Sequence, residues 1–367
     1  MKKKVLLILG GRSGEHAVSV RSARSIEAAI DPELYNIHCL GISPTGDWHY
    51  GPSVDSITAN NQVLSPSEAV FLPGRSDGTS LVIDASDGLE SIKSDIIFPI
   101  IHGTFGEDGK LQGLLEMANA AYVGSGVLGS AISMDKVIQK TLCAFHSIPQ
   151  ATFIGVTRTE WEETQNEVMT KLASLKLPLF VKPANLGSSV GITKVKTSET
   201  LEKAIHEAFL YDHKIVVEEG ISDMVEVEVS VLGNSAPVAS VCGTLRPRAE
   251  FYDYKTKYLT DDVEKEIPAQ IPTDISDKIR AIAIETFKIL NCAGLARIDF
   301  FYQPSSNSVF LNELNTLPGF TSTSMYPVLW EASGVSYSEV ISKLLALAEE
   351  NWQAKQGLRY DVDEKTL

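Results

Sequence analysis

Arg297 and Asp299 stand two residues apart, and so do Glu313 and Asn315. The apolar-rich runs 295–302 and 308–315 that carry them are separated by Gln303-Pro304-Ser305-Ser306-Asn307, a short turn-rich connector, so the spacing predicts an antiparallel hairpin. Residues two apart in a strand share a face. If the two faces coincide, a guanidinium, two carboxylates and an amide oxygen converge. Unpaired acids so placed would repel one another or bind a proton. Hard oxygen donors without His or Cys suit magnesium, which takes few protein ligands and fills its octahedron with phosphates and water. A charged strand face turned to solvent has the same pattern, and the hairpin alone leaves both readings open.

Three further segments bear groups that could touch an anion. Lys182-Pro183-Ala184-Asn185-Leu186-Gly187-Ser188-Ser189-Val190-Gly191 follows an apolar run. Such Gly/Ser loops offer N–H groups and hydroxyls to phosphate oxygens. It is neither a P-loop nor a GxGxxG fingerprint, and an ordinary hairpin loop is the alternative. His102-Gly103-Thr104-Phe105-Gly106-Glu107-Asp108-Gly109 follows another apolar run, at the strand end where ligands of α/β sheets sit; a capped structural histidine is the alternative there. Pro318 to Met325 reads as a turn into a helix, whose free N–H groups bind carboxylates. The run Phe251-Tyr252-Asp253-Tyr254-Lys255-Thr256-Lys257-Tyr258-Leu259 would strand cations if it were core, and makes sense as a lid over a ligand, with Lys257 meeting an anion.

The elements that must position these groups fall into three stretches. Residues 5–9 form a continuous apolar run, as expected of a strand covered on both faces. A helix is expected at 18–30, with strands at 36–42 and 96–101. Residues 44–92 are rich in Gly, Ser, Asp and Pro, with short strand-like pieces at 69–72 and 80–83. A helix at 135–146, a strand at 179–183, a helix at 198–209 and a strand at 214–218 make a second, α+β unit. The third opens at 225–232, where Glu226, Glu228 and Ser230 alternate with Val227, Val229 and Val231, so polar and apolar faces are expected. A helix at 277–290 precedes the hairpin.

Bulk properties narrow the function. The chain has 367 residues, enough for two or three domains. Its formal net charge of -15 argues against a nucleic-acid partner, which needs a basic face. Cys39, Cys143, Cys242 and Cys292 form no CxxC pair, so neither a zinc knuckle nor a redox motif is indicated, and buried thiols in a reducing compartment are expected. The start, Met1-Lys2-Lys3-Lys4 and five apolar residues, is too short in its apolar part for a secretory signal of about 7–15. No run approaches the roughly 20 apolar residues of a membrane span, so a cytoplasmic protein is expected.

Taken together, Gly10-Gly11-Arg12-Ser13-Gly14-Glu15-His16, residues 102–113, Ser133-Met134-Asp135-Lys136, residues 182–191, residues 252–258, Arg297-Ile298-Asp299 and Glu313-Leu314-Asn315-Thr316-Leu317-Pro318-Gly319 resemble, nearly end to end, the D-alanine–D-alanine ligases of the ATP-grasp superfamily. Ala17 stands where many members carry Glu, and Glu219-Gly220 replaces a Lys and a bulky residue of the hinge. The match is weakest over 44–92, a long stretch resembling the larger members.

The resemblance implies an α/β and α+β, three-domain ATP-grasp architecture. An N-terminal Rossmann-like domain would span 1–133, a central ATP-grasp subdomain 134–222, and a C-terminal catalytic domain 223–367 with a lid loop at 246–262. By the same resemblance Lys136 and Lys182 hold ATP phosphates, and Glu218, Glu219 and Ile221 meet the adenine. Glu226 meets the ribose, and Ser188, Ser189, Lys257 and Asn312 complete the nucleotide site. Asp299, Glu313 and Asn315 hold magnesium or manganese, two ions in all. Glu15 and His102 hold the first D-alanine. Lys257 with the Ser324 and Met325 N–H groups holds the second carboxylate. Ser188 and Tyr258 link to Glu15 and close the lid, while Arg297 and the Gly319 N–H stabilise the tetrahedral oxyanion. A homodimer is also implied. A ligase of the same fold using D-lactate or D-serine is the nearest alternative, against which the Lys257-Tyr258 pair speaks. Carbamoyl-phosphate and purine-pathway ligases lack the 252–258 run. A nonenzymatic nucleotide sensor on a decayed ligase fold is opposed by the intact Arg297, Asp299, Glu313 and Asn315.

Overall fold

The computed structural model describes residues 2–64, 68–72, 79–85, 88–188, 190–247 and 263–359. Ser189, Lys257 and Tyr258, and residues 248–262 of the expected lid, lie outside the described residues.

The apolar run near the N-terminus becomes β1 (Lys3–Gly10), which pairs in parallel with β2 (Tyr35–Ile42) on one side and β4 (Ile96–Pro99) on the other. The edge strand β3 (Trp48–Gly51) runs antiparallel to β2. Both faces of β1 are covered, as an unbroken apolar run requires. Val5, Leu7 and Leu9 share a core with α1 (His16–Ala29) and with α8 (Tyr337–Gln356) from the far end of the chain. Leu6 and Ile8 pack instead on Leu111 and Leu115 of α2 (Lys110–Met117). In the 44–92 stretch, an antiparallel sheet of Glu68–Leu72, Thr79–Ala85 and Gly88–Ser94 extends the strand pieces expected there.

After α3 (Val127–Met134) and α4 (Lys136–Phe145), a second sheet has the order β5-β8-β6-β7, all antiparallel: Phe153–Thr157, Lys214–Glu219, Leu179–Pro183 and Thr193–Val195. Helix α5 (Leu201–Ala208) buries Leu201, Ala204 and Ile205 against it. The third sheet has the order β11-β10-β9-β12-β13, from Val263–Glu266, Gly243–Pro247, Val225–Gly233, Gly294–Gln303 and Ser308–Asn315. Helix α6 (Thr273–Ile289) covers its apolar face. It begins one turn before the expected 277, directly after Pro272, with Asp274 in its first turn, where an acid favours the helix dipole.

The alternation expected at 225–232 forms, and both of its faces are buried: Glu228 is 6% exposed and Ser230 0%. The valines do enter the core. The polar face is covered too, because Glu228 meets Arg297 and the Ser230 hydroxyl donates to the Tyr326 carbonyl on α7 (Met325–Ala332). All four cysteines are free and buried. Among the described residues, no helix is long and apolar enough to cross a membrane.

Candidate active site

The hairpin forms, and its register brings the charges of the two strands onto one face. Arg297 lies opposite Asn315 and Asp299 opposite Glu313, so the two polar faces coincide. The register then shifts at Asp299/Phe300, and Phe300 pairs with Leu311, leaving Asn312 as the extra residue of a β-bulge. This is no solvated face, because Arg297 is 8% exposed. Its guanidinium forks onto both oxygens of Asp299 at 2.7 Å, and its Nε lies 3.1 Å from Glu228. These carboxylates hold the arginine charged against the opposing effect of its burial. The Asn315 amide also donates to Asp299 at 3.2 Å.

Two cavities meet beside this hairpin. The larger, of about 350 Å³, lies between the second and third sheets. Phe180, Ile221, Met224 and Leu311 supply apolar wall, and Lys136, Lys140, Lys182, Asp299 and Glu313 the charged part. Glu218, Glu219, Glu226 and Asn312 also line it. The smaller, of about 50 Å³, is bounded by Glu15, His102, Glu107, Arg297, Asn315 and Gly319. Lys136, Leu186, Gly187, Ser188 and Glu313 line both, so one wall joins the two spaces.

The charges of the larger cavity are cross-paired. Glu218, on the central strand β8, contacts Lys182 on the neighbouring β6 and Lys140 on α4, the latter at 2.8 Å. Burial opposes its ionisation, but the two ammonium groups hold its carboxyl down at about 2. Burial likewise opposes the Lys182 charge, and Glu218 outweighs it, so that lysine sits above its ordinary range. Lys136 opens α4 beneath the side-chain cap of Asp135 and donates from Nζ to the Leu186 carbonyl at 2.6 Å. It approaches Glu313 to 3.8 Å, and burial lowers its pKa. The expected Gly/Ser loop is a hairpin loop joining β6 to β7, and the Lys136 bond pins it.

The smaller cavity is built from three loops. Ser188, in a left-handed conformation at φ 54°, donates its hydroxyl to Glu15. Gly103 has φ 73°, and a Cβ there would come within 2.8 Å of Glu15, so only glycine lets that carboxylate approach. The buried His102 ring has both nitrogens engaged: Nδ1 lies 2.8 Å from the Leu317 carbonyl and Nε2 3.0 Å from the Ser22 hydroxyl. Burial lowers its pKa, so it is a neutral imidazole. Nδ1 must then carry the proton, since its partner only accepts. Gly319 lines this cavity, whereas Ser324 and Met325 do not. The Ser324 N–H, expected to meet a carboxylate, donates to the Thr321 carbonyl at 2.9 Å.

Three side chains here escaped the sequence reading. Lys140 follows Lys136 by four residues, and helical spacing would have put both on one face. Glu228 was visible only as part of an alternation. Glu107, buried between two loops, gave no signal beyond its place in the 102–113 run.

Sequence models for the D-ala D-ala ligase N-terminus and C-terminus match residues 4–125 and 142–346. The chain belongs to the D-alanine–D-alanine ligase family. It is 46% identical to the D-alanine–D-alanine ligase of Deinococcus radiodurans, over 95% of this chain and 99% of that one. It is 45% identical to the D-alanine–D-alanine ligase A of Escherichia coli, over 98% and 99%. Among solved structures, the D-alanine–D-alanine ligase of Coxiella burnetii superposes with a TM-score of 0.83 at 33% identity, covering 97% of this chain and 96% of that one. A D-Ala:D-Ser ligase of Enterococcus faecalis gives 0.83 at 34%, covering 95% and 100%. The architecture is therefore that of an ATP-grasp protein, and overall shape does not separate this chain from a D-Ala:D-Ser ligase.

Proposed function

We propose that this chain joins two D-alanines into D-alanyl-D-alanine, coupled to conversion of ATP to ADP and phosphate, for peptidoglycan precursors. The observation that carries this is the shared wall of Lys136, Gly187, Ser188 and Glu313, where the phosphate end of a bound nucleotide would face a substrate held by Glu15. A carboxylate is inert towards an amine because its oxygen is a poor leaving group. Phosphoryl transfer from ATP to the first D-alanine's carboxylate gives an acyl phosphate. The unprotonated amine of the second attacks its carbonyl, an oxyanion forms, and the peptide bond is completed as the nitrogen gives up a proton and phosphate departs.

Each side chain then has a task. Lys136 and Lys182 hold the phosphates, and Lys140 keeps Glu218 anchored beside them. Glu218 and Glu219 at the end of β8 and Ile221 just past it meet the adenine, Glu226 the ribose, and Ser188, Ser189, Lys257 and Asn312 complete the nucleotide site. Glu15 takes the ammonium of the first D-alanine, and His102 backs the same wall. Lys257 and the N-terminus of α7 at Met325 face the second carboxylate. Tyr258 joins Ser188 and Glu15 on closure, which excludes water from the acyl phosphate. Arg297 and the Gly319 N–H stabilise the oxyanion, and one such donor contributes about 10²–10³ in rate.

The donor set at the hairpin suits a hard divalent cation. Asp299 and Glu313 are directly opposed beside the Asn315 amide, and Glu228 across from Asp299 is engaged by Arg297, so the protein offers few oxygen ligands, which suits an ion that takes most of its shell from phosphates and water. Asp299, Glu313 and Asn315 would hold magnesium or manganese, two ions in our reading, which when bound offset the phosphate charge. We further propose a cytoplasmic homodimer; the four free, buried cysteines suit a reducing compartment.

Phosphate release across a panel of amino acids of both hands, with magnesium and ATP, tests the assignment. Release with D-alanine above all others is expected. Equal release with L-alanine, or none with any amino acid, would refute it.

A further inference from the structure

We propose that Glu107 is a positioning residue of this ligation: with His102 it clamps both backbone polar groups of Leu317, and so fixes the turn that carries the Gly319 N–H against the wall that carries Glu15. The inference rests on the function proposed above.

The geometry is a set of ties between two loops remote in sequence. Glu107 accepts from the Gly103 N–H at 2.8 Å through Oε1 and from the Leu317 N–H at 3.2 Å through Oε2. The Leu317 carbonyl accepts from His102 Nδ1 at 2.8 Å. Both polar groups of one residue are thus gripped by side chains of a single loop. Ser22 adds a third tie. Its hydroxyl lies 3.0 Å from His102 Nε2 and accepts from the Phe320 N–H at 3.2 Å. With Nδ1 protonated, Nε2 accepts from Ser22, whose oxygen in turn accepts from Phe320.

Leu317 precedes Pro318 and Gly319, and the turn is therefore held on both sides of the proposed oxyanion donor. The Gly103 N–H that Glu107 receives belongs to the glycine on which Glu15 rests. One carboxylate consequently sets the spacing between the group that holds the first substrate and the group that meets the developing charge. Burial, reinforced by the Glu15 carboxylate, pushes Glu107 up to about 8. A surface acid would place nothing; this one is enclosed and committed to two backbone donors. Displacement of a catalytic group by about 1 Å can cost roughly 10² in rate.

The test is steady-state kinetics of the full chain as Glu107→Gln, His102→Gln and the double variant, with thermal unfolding in parallel. Glutamine keeps one acceptor but turns an N–H₂ towards the other backbone donor, opening one side of the grip. Each single change is expected to lower kcat by about 10- to 100-fold, with the KM for ATP within twofold of the parent. The double variant should be no worse than the weaker single within about threefold, because both act through Leu317. Single variants with parental kcat, or losses that multiply in the double, would overturn the clamp. Should Glu107→Gln fail to fold, Ser22→Ala carries the same test: a several-fold loss of kcat at unchanged KM for ATP is expected, and parental kcat overturns the proposal. A parent chain that forms no dipeptide in the same assay would instead refute the underlying function.

Discussion

The hydroxyl of Ser188 donates to Oε1 of Glu15, joining two loops 173 residues apart in the chain. Ser188 lines both cavities, so this bond ties the phosphate-side loop to the residue assigned to the first ammonium. A hydrogen bond to a charged group contributes about 1.5–3 kcal/mol, on the order of 10- to 100-fold in an equilibrium. Ser188→Ala is therefore expected to raise the KM for D-alanine by at least about tenfold. Initial rates against D-alanine concentration measure this, and an unchanged KM would separate Ser188 from substrate binding.

The two hairpin acids should fail differently. Asp299→Asn and Glu313→Gln are each expected to lower turnover by at least about 10², through lost charge compensation at the phosphates. Asp299 also carries the fork from buried Arg297 at 2.7 Å, whereas Lys136 approaches Glu313 to 3.8 Å. Asp299→Asn should in addition lower the unfolding temperature, with Glu228 left as the partner of Arg297. Glu313→Gln should lower it less, since it does not remove that fork. Equal Tm values for the two variants would contradict this.

Glu218 makes an acid-side prediction. Its carboxyl is held at about 2 by Lys140 and Lys182. A depressed carboxylate stabilises the fold above its unfolded value and loses that contribution as pH falls towards 2. Glu218→Gln leaves two buried lysines uncompensated, and breaking a buried pair in this way costs about 3–5 kcal/mol. Denaturant unfolding at pH 7 and pH 3 should show a large deficit at pH 7 that narrows on acidification.

Glu107 makes the opposite one. Burial first, then Glu15, raises its pKa from 4.5 to about 8, against the pull of two backbone donors and Arg297. The folded chain then holds a proton that the unfolded chain has lost, so its contribution to stability is full below about 4.5 and disappears as pH rises through 8. Glu107→Gln cannot titrate. Its unfolding free energy relative to the parent should therefore improve between pH 5 and pH 9, and a difference constant with pH would contradict the raised carboxyl.

Much of this was legible in residue order because the strands obey period two. Val5 to Leu9 announced a strand covered on both faces, and the spacing of Arg297, Asp299, Glu313 and Asn315 announced a shared polar face. What period two cannot reveal is what covers a face. Glu228 and Ser230 are buried because their partners, Arg297 and Tyr326, come from elsewhere in the chain. Glu107 was illegible for the same reason, since its partner Leu317 lies 210 residues away. The bulge at Asn312 depends on a register that the sequence of one strand does not contain. The Lys257-Tyr258 pair, on which acceptor choice was argued, lies outside the described residues.

Product analysis under competition bears most directly on the central claim. The full chain would be supplied with ATP, magnesium and equimolar D-alanine, D-serine and D-lactate at pH 7, and its products separated and weighed. The account predicts D-alanyl-D-alanine as the main product, with one phosphate released per dipeptide. A predominance of D-alanyl-D-serine or D-alanyl-D-lactate, or phosphate released without any dipeptide, would contradict it.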